Sequence, residues 1–131
     1  MPLSQHTVLV LEDEYLIALE IGRILEEAHI GSAEIVRSLE DLGDGPAALA
    51  RFDAAIVEIR TPGQTAHPAA ERLRAQGIPV VFGTVFDEYR DGMPGFPGAP
   101  VVMKPYATDL MVAAVLGAIA GRACGSGKPP A

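Results

Sequence analysis

The sequence contains no tryptophan, one cysteine and only 5% aromatic residues in its 131 positions. A core made from this chain is therefore aliphatic, built from Ala, Val, Ile and Leu. A lone cysteine, Cys124, excludes a disulfide framework and a thiolate metal cluster, and it suits a reducing compartment. Basic residues are also scarce, 10 against 17 acids, for a formal net charge of −7. Nucleic acid and anionic membrane surfaces both demand a basic face, so we expect neither as a direct partner. No apolar stretch is long enough to span a bilayer. Met1–Thr7 has no basic segment followed by an apolar run, so we expect no signal peptide and a cytoplasmic protein. Hydrophobic residues at 49% and charged residues at 21% exclude a disordered chain. The length fits one domain, which we place at residues 1–123, followed by a flexible Gly/Pro-containing tail at 124–131.

Short apolar runs alternate with helical periodicity along the chain. Thr7–Leu11 is continuous and apolar, as in a strand buried on both faces. Leu16, Ile17, Ile21, Ile24, Leu25 and Ala28 then recur at helical spacing, and Gly31 supplies a stop. A second strand is predicted at Ala33–Arg37. A weak helix from Leu39 to Arg51 follows, interrupted by Gly43, Gly45 and Pro46 and hence short or broken into two turns. The third run is residues 54–59, ended by Thr61-Pro62-Gly63, and a helix follows at Ala66–Gln76. The fourth run is Ile78–Phe82, with Pro79 at its start. The fifth is Ala99–Met103. Between these two, Gly92, Pro94, Gly95, Pro97 and Gly98 argue for a short helical turn and an extended loop. The last helix begins near Thr108, as N-cap, and runs to about Ala123.

Five apolar strands alternating with helical segments imply a three-layer α/β fold with a parallel sheet. Functional groups in such folds gather at the carboxyl ends of the strands. After strand one stand Glu12 and Asp13; near the end of strand three, Glu58; after strand four, Thr84; after strand five, Lys104 and Pro105. Clustered carboxylates invite a hard cation such as Mg²⁺. A hydroxyl and an ammonium then hold phosphoryl oxygens. Taken singly, Glu12 and Asp13 also read as acids favouring a helix start, Thr84 as a turn threonine and Lys104 as a surface lysine. Glu58 is different: an acid within Ala-Ala-Ile-Val-Glu-Ile is costly to bury without a partner.

With these pieces in order, the chain over about residues 7–121 resembles the receiver domain of two-component response regulators. The resemblance rests on Val-Leu-Val-Leu-Glu12-Asp13-Glu14, on Glu58-Ile-Arg-Thr-Pro62-Gly63, on Thr84, and on Lys104-Pro105. It implies a doubly wound, flavodoxin-like (β/α)5 fold with a five-stranded parallel sheet. Phe82-Gly-Thr-Val-Phe86 further resembles a subgroup with a Phe-Ala-Thr-Gly motif, whose members are often stand-alone proteins with a poorly formed fourth helix.

Three departures from the family stand out. Glu58 occupies the phosphoacceptor position, where the family carries aspartate, a nucleophile toward phosphohistidine. Glutamate is one methylene longer, which brings its carboxylate toward Lys104 and Thr84 and disturbs a transfer that depends on placement. Glu12 replaces the more frequent aspartate. If Mg²⁺ binds, the resemblance implies Asp13, Glu58 and the backbone carbonyl of Arg60 as ligands and Glu12 through water. The Arg60 charge and the reach of Glu58 weaken or abolish that binding. Third, Val101 stands where receivers often carry an aromatic switch residue; Phe82, Phe86 and Tyr106 are the nearby aromatics.

The leading expectation is a non-enzymatic signalling module, phosphorylation-independent and held in one state by Glu58. Only nine residues follow Arg122, so output is expected through protein contact, with a sensor histidine kinase or another signalling protein as partner. The fourth helix, fifth strand and last helix form the expected partner and homodimer face, with Tyr106, Met111 and Val115 as its contact residues. A Mg²⁺-dependent phosphohydrolase and a pure scaffold or inhibitor are the competing readings. His6, His29 and His67 have no metal or triad spacing.

Overall fold

The computed structural model describes residues 6–12, 14–42, 48–59 and 66–126. Strands β1 (His6–Leu11), β2 (Gly31–Val36), β3 (Ala54–Ile59), β4 (Val80–Thr84) and β5 (Val101–Met103) pair in parallel, in the order β2-β1-β3-β4-β5. This is the doubly wound arrangement expected from the sequence, with its crevice at the carboxyl ends of β1 and β3. Helices α1 (Tyr15–Glu27) and α3 (Thr108–Ser126) cover one face, and α2 (Ala66–Ala75) lies on the other.

The two-residue period of the strands sorts the aliphatic residues into two cores. Val8, Val10, Ile56, Val81 and Val102 meet Ile21, Ile24, Leu25, Met111 and Val115 on the α1/α3 face. Leu9, Ala55, Val57, Ile59, Val80 and Phe82 meet Ala70 and Leu73 on the α2 face. The second core is completed by loop residues: Leu39, Leu49, Phe52, Tyr89, Met93 and Phe96. Phe96 stands edge-on to Phe82, with ring centroids 5.2 Å apart. These side chains do the covering that helices do elsewhere. Between β2 and β3 the described residues form a 3-10 turn at Leu39–Leu42 and a further turn at 48–51; Gly43, Gly45 and Pro46 lie outside the described residues. Between β4 and β5 stand a 3-10 turn at Asp87–Tyr89 and an isolated bridge between Met93 and Phe96, in place of a fourth helix.

Several boundaries differ from the sequence reading. The turn after α1 is made by His29, at φ 59°, with the Ile30 amide donating to the Leu25 carbonyl at 3.0 Å. Gly31 is instead the first residue of β2, where an added Cβ would lie 1.9 Å from the His6 carbonyl oxygen. Strand β4 begins two residues later than expected, because the Ile78 amide closes the end of α2 on the Leu73 carbonyl. Thr84 is consequently the last residue of the strand. Helix α3 continues to Ser126, three residues past the expected end, so the backbone at Cys124 is helical. The side chains of His67 and Cys124, and all of residues 127–131, lie outside the described residues.

Candidate functional site

The strand ends bring Glu12, Glu58, Thr84 and Lys104 to one edge of the sheet. Glu12 directly follows β1, held by its amide donating to the Val36 carbonyl at 3.1 Å. Glu58 is the fifth residue of β3 and alternates onto the face of Ile56. The amide of Lys104, just past β5, donates to the Thr84 carbonyl at 2.8 Å and fixes the register of the last two strands there. The peptide bond between Lys104 and Pro105 is cis. Asp13, Arg60 and the segment Thr61-Pro62-Gly63 lie outside the described residues.

Lys104 is the hub of this edge. Its ammonium donates to Glu58 Oε2 at 2.5 Å and stands 3.6 Å from Glu12 Oε1. All three side chains are nearly enclosed, with exposures of 10% for Lys104, 11% for Glu58 and 1% for Glu12. The second oxygens remain: Glu12 Oε1 and Glu58 Oε1 are buried and have no hydrogen-bond donor among the described residues. Glu12 Oε2 accepts from the Glu14 amide at 3.2 Å. Burial pushes the Glu12 carboxyl up to about 7; the neighbouring Glu58 carboxylate adds to this, and the Lys104 ammonium opposes it.

Thr84 is fully buried. Its hydroxyl donates to the Ile59 carbonyl at 3.3 Å and accepts from the Phe86 amide at 3.0 Å. The hydroxyl is thus engaged by backbone on both sides.

Tyr106 is placed differently from the expected partner face. Its ring lies 6.0 Å from the Lys104 ammonium and its hydroxyl is buried without a partner among the described residues. That hydroxyl fills the space over Gly83, where an ideal Cβ would be 1.9 Å away. Burial, reinforced by the charges of Glu12 and Glu58, raises its ionisation well above the usual phenol value. The sequence signal for this aromatic was the missing side chain at position 83, on the same face as Val81 and Val102. Met111 and Val115, also expected at the partner face, are fully buried in the α1/α3 core. Helix α3 is apolar on every side, so periodicity alone does not separate its inner stripe from its outer one. The outer stripe is Leu110, Ala113, Leu116, Gly117 and Ala120.

The resemblance implies Mg²⁺ at this edge. One oxygen each from Glu12, Glu14 and Glu58 lies within 4.8 Å of the others, and two of these residues carry orphaned buried oxygens. The donor set suits a hard cation. The arrangement of the described residues does not, because the ammonium of Lys104 already supplies the positive charge between Glu12 and Glu58.

No family model matches the chain. Against curated proteins, it is 30% identical over 117 residues to the sensory transduction protein RegX3 of Mycobacterium tuberculosis, covering 83% of this chain and 48% of that protein. RegX3 of Mycolicibacterium smegmatis is 29% identical over the same length, with the same coverage. The chain therefore spans about half the length of the curated relatives it matches. Among solved structures, a response regulator receiver protein from Burkholderia phymatum superposes with a TM-score of 0.67 at 24% identity, over 88% of this chain and 95% of that one. A sensor protein from Polaromonas sp. JS666 superposes with a TM-score of 0.72 at 18% identity, over 90% and 98%. These structural likenesses establish the shared fold.

Proposed function

We propose that the chain is a receiver domain of the response-regulator kind used in two-component signalling and that it signals without accepting a phosphoryl group. The observation that carries this reading is the enclosed pair between Glu58 and Lys104 at 2.5 Å. An acceptor carboxylate must be free to attack in line, and a misplacement of about 1 Å costs about a hundredfold in such a step. Glu58 spends one oxygen on the ammonium that would otherwise neutralise an incoming phosphoryl group. Thr84, the hydroxyl that would hold another phosphoryl oxygen, is bonded to backbone at Ile59 and Phe86. Both features favour one fixed, unswitched arrangement.

Output then occurs by protein contact. The surface we assign to it is the outer stripe of α3, and the occupant is a second copy of this chain. No charged residue interrupts Leu110–Gly121, and Leu110 and Leu116 are 59% and 47% exposed. In an antiparallel pair centred near residue 115, Leu110 of one copy faces Ala120 of the other, and Ala113 faces Gly117. Leu110 thus meets a small residue, and the Ala113–Gly117 pair lets the two helices approach closely. The dimer is offered to signalling proteins of the two-component type, a sensor histidine kinase among them.

The test is an amide NMR spectrum recorded with and without acetyl phosphate and Mg²⁺. The reading expects unchanged resonances for Thr84, Lys104 and Tyr106. Large shifts confined to these residues on adding acetyl phosphate contradict it.

A further inference from the structure

We infer that the Lys104 ammonium occupies the cation position between Glu12 and Glu58, that the native domain therefore takes no divalent ion at this edge, and that removing Lys104 converts the edge into a divalent-cation site. The inference rests on the reading of Glu58 as the fixed partner of Lys104.

The geometry supports each part. The ammonium reaches both carboxyls, at 2.5 Å and 3.6 Å. A Mg²⁺ ion needs oxygens at about 2.0–2.1 Å in near-octahedral array. Among the described residues it would draw on Glu12 and Glu58, within a few ångströms of an ammonium that is itself nearly enclosed. Two like charges so placed, away from water, repel strongly. The extra methylene of Glu58, relative to aspartate, carries its carboxylate onto the lysine and keeps both groups there.

The same contacts show what happens without the lysine. Glu12 is buried, and its Oε1 has no hydrogen-bond donor among the described residues. Glu58 Oε1 is in the same condition. A Lys104→Met side chain of similar length leaves these two carboxyls facing each other with no counter-charge, and Glu14 contributes a third oxygen within 4.8 Å. Buried carboxyls in that position take up protons or a cation. An all-oxygen set selects a hard divalent ion such as Mg²⁺ or Mn²⁺ over a soft one.

The experiment is thermal unfolding of the full chain at pH 7.5, in EDTA and in about 10 mM Mg²⁺ or Mn²⁺. A site with a dissociation constant of about 1 mM would raise the melting temperature by about 5 °C under these conditions. The wild type is expected to melt at the same temperature in all three buffers. Lys104→Met is expected to melt lower in EDTA and to recover by about that amount in either ion. A wild-type rise of several degrees, or a folded Lys104→Met with no ion response, overturns the inference. If Lys104→Met does not fold in EDTA, refolding into Mn²⁺ is the same test: a folded spectrum supports the inference and an unfolded one overturns it. Line broadening by Mn²⁺ of the wild-type Leu11 and Glu58 amides provides a second measurement and also overturns it. A wild type that binds Mg²⁺ yet stays unmodified by acetyl phosphate contradicts this inference alone and leaves the phosphorylation reading standing.

Discussion

The hydroxyl of Tyr106 occupies the volume that a side chain on residue 83 would need, 1.9 Å from an ideal Cβ there. Glycine at this point of β4 and tyrosine after the Lys104-Pro105 peptide are thus one packing unit. Gly83→Ala forces the ring out or displaces the strand, and is expected to cost about 1–3 kcal/mol. Tyr106→Phe deletes a buried hydroxyl that has no partner among the described residues, and is expected to be neutral or slightly stabilising. Combined, the two changes cost less than their sum, because the closest clash, with the hydroxyl oxygen at 1.9 Å, is gone and only the ring carbon at 2.8 Å has to give way. Urea unfolding of the four proteins checks this; strict additivity contradicts it.

Removing the lysine removes the counter-charge of two enclosed carboxyls. Lys104→Met is expected to lose about 3–5 kcal/mol at neutral pH without added ions. Adding Glu58→Gln to it returns much of that loss, since only Glu12 then remains to be satisfied. Urea unfolding in EDTA measures both. A double variant no more stable than Lys104→Met speaks against the pair as the source of the loss.

Stability also depends on pH through Glu12. Its carboxyl is raised from 4.5 to about 7 in the folded protein, by burial first and by Glu58 second. The folded state therefore binds this proton more tightly than the unfolded state does. The contribution is fully present below pH 4.5 and is lost as pH rises through about 7. Wild type minus Glu12→Gln, compared by urea unfolding from pH 4.5 to 8, isolates it. A stability difference that grows in favour of wild type as pH rises has the opposite sign and contradicts the assignment.

Helix α3 separates inner from outer residues although both are apolar. Met111→Ala is expected to cost about 2–5 kcal/mol, because Met111 is fully buried. Leu116→Glu, on the outer stripe, is expected to change stability by only about 0.5 kcal/mol while abolishing self-association. Sedimentation velocity beside urea unfolding distinguishes the two effects. A wild type that stays monomeric at all concentrations contradicts α3 as a self-association face.

The strands and α1 were legible because short aliphatic runs and a clear helical period leave few alternatives. The strand-end rule then located Glu12, Glu58, Thr84 and Lys104 without any contact information. What stayed hidden was decided by tertiary packing. The inward turn of Tyr106 depends on an absent side chain on the preceding strand, at Gly83. Burial of Met111 and Val115 could not be read from a helix that lacks a polar face to contrast with. The segment after Leu39 carries helix formers, yet Gly43, Gly45 and Pro46 stand within it, and Leu49 and Phe52 fill the core from turns instead. The direction of the Thr84 hydroxyl was equally invisible, since either a phosphoryl group or the Ile59 carbonyl satisfies it.

The central claim is that Glu58, held by Lys104, is not a phosphoryl acceptor. Intact mass after incubation with acetyl phosphate and Mg²⁺ tests it most directly, on wild type and Glu58→Asp side by side. The wild type is expected to keep its mass, and Glu58→Asp, with its shorter carboxylate drawn back from Lys104, to gain one phosphoryl group of about 80 Da. The same gain on wild-type Glu58 would contradict the claim.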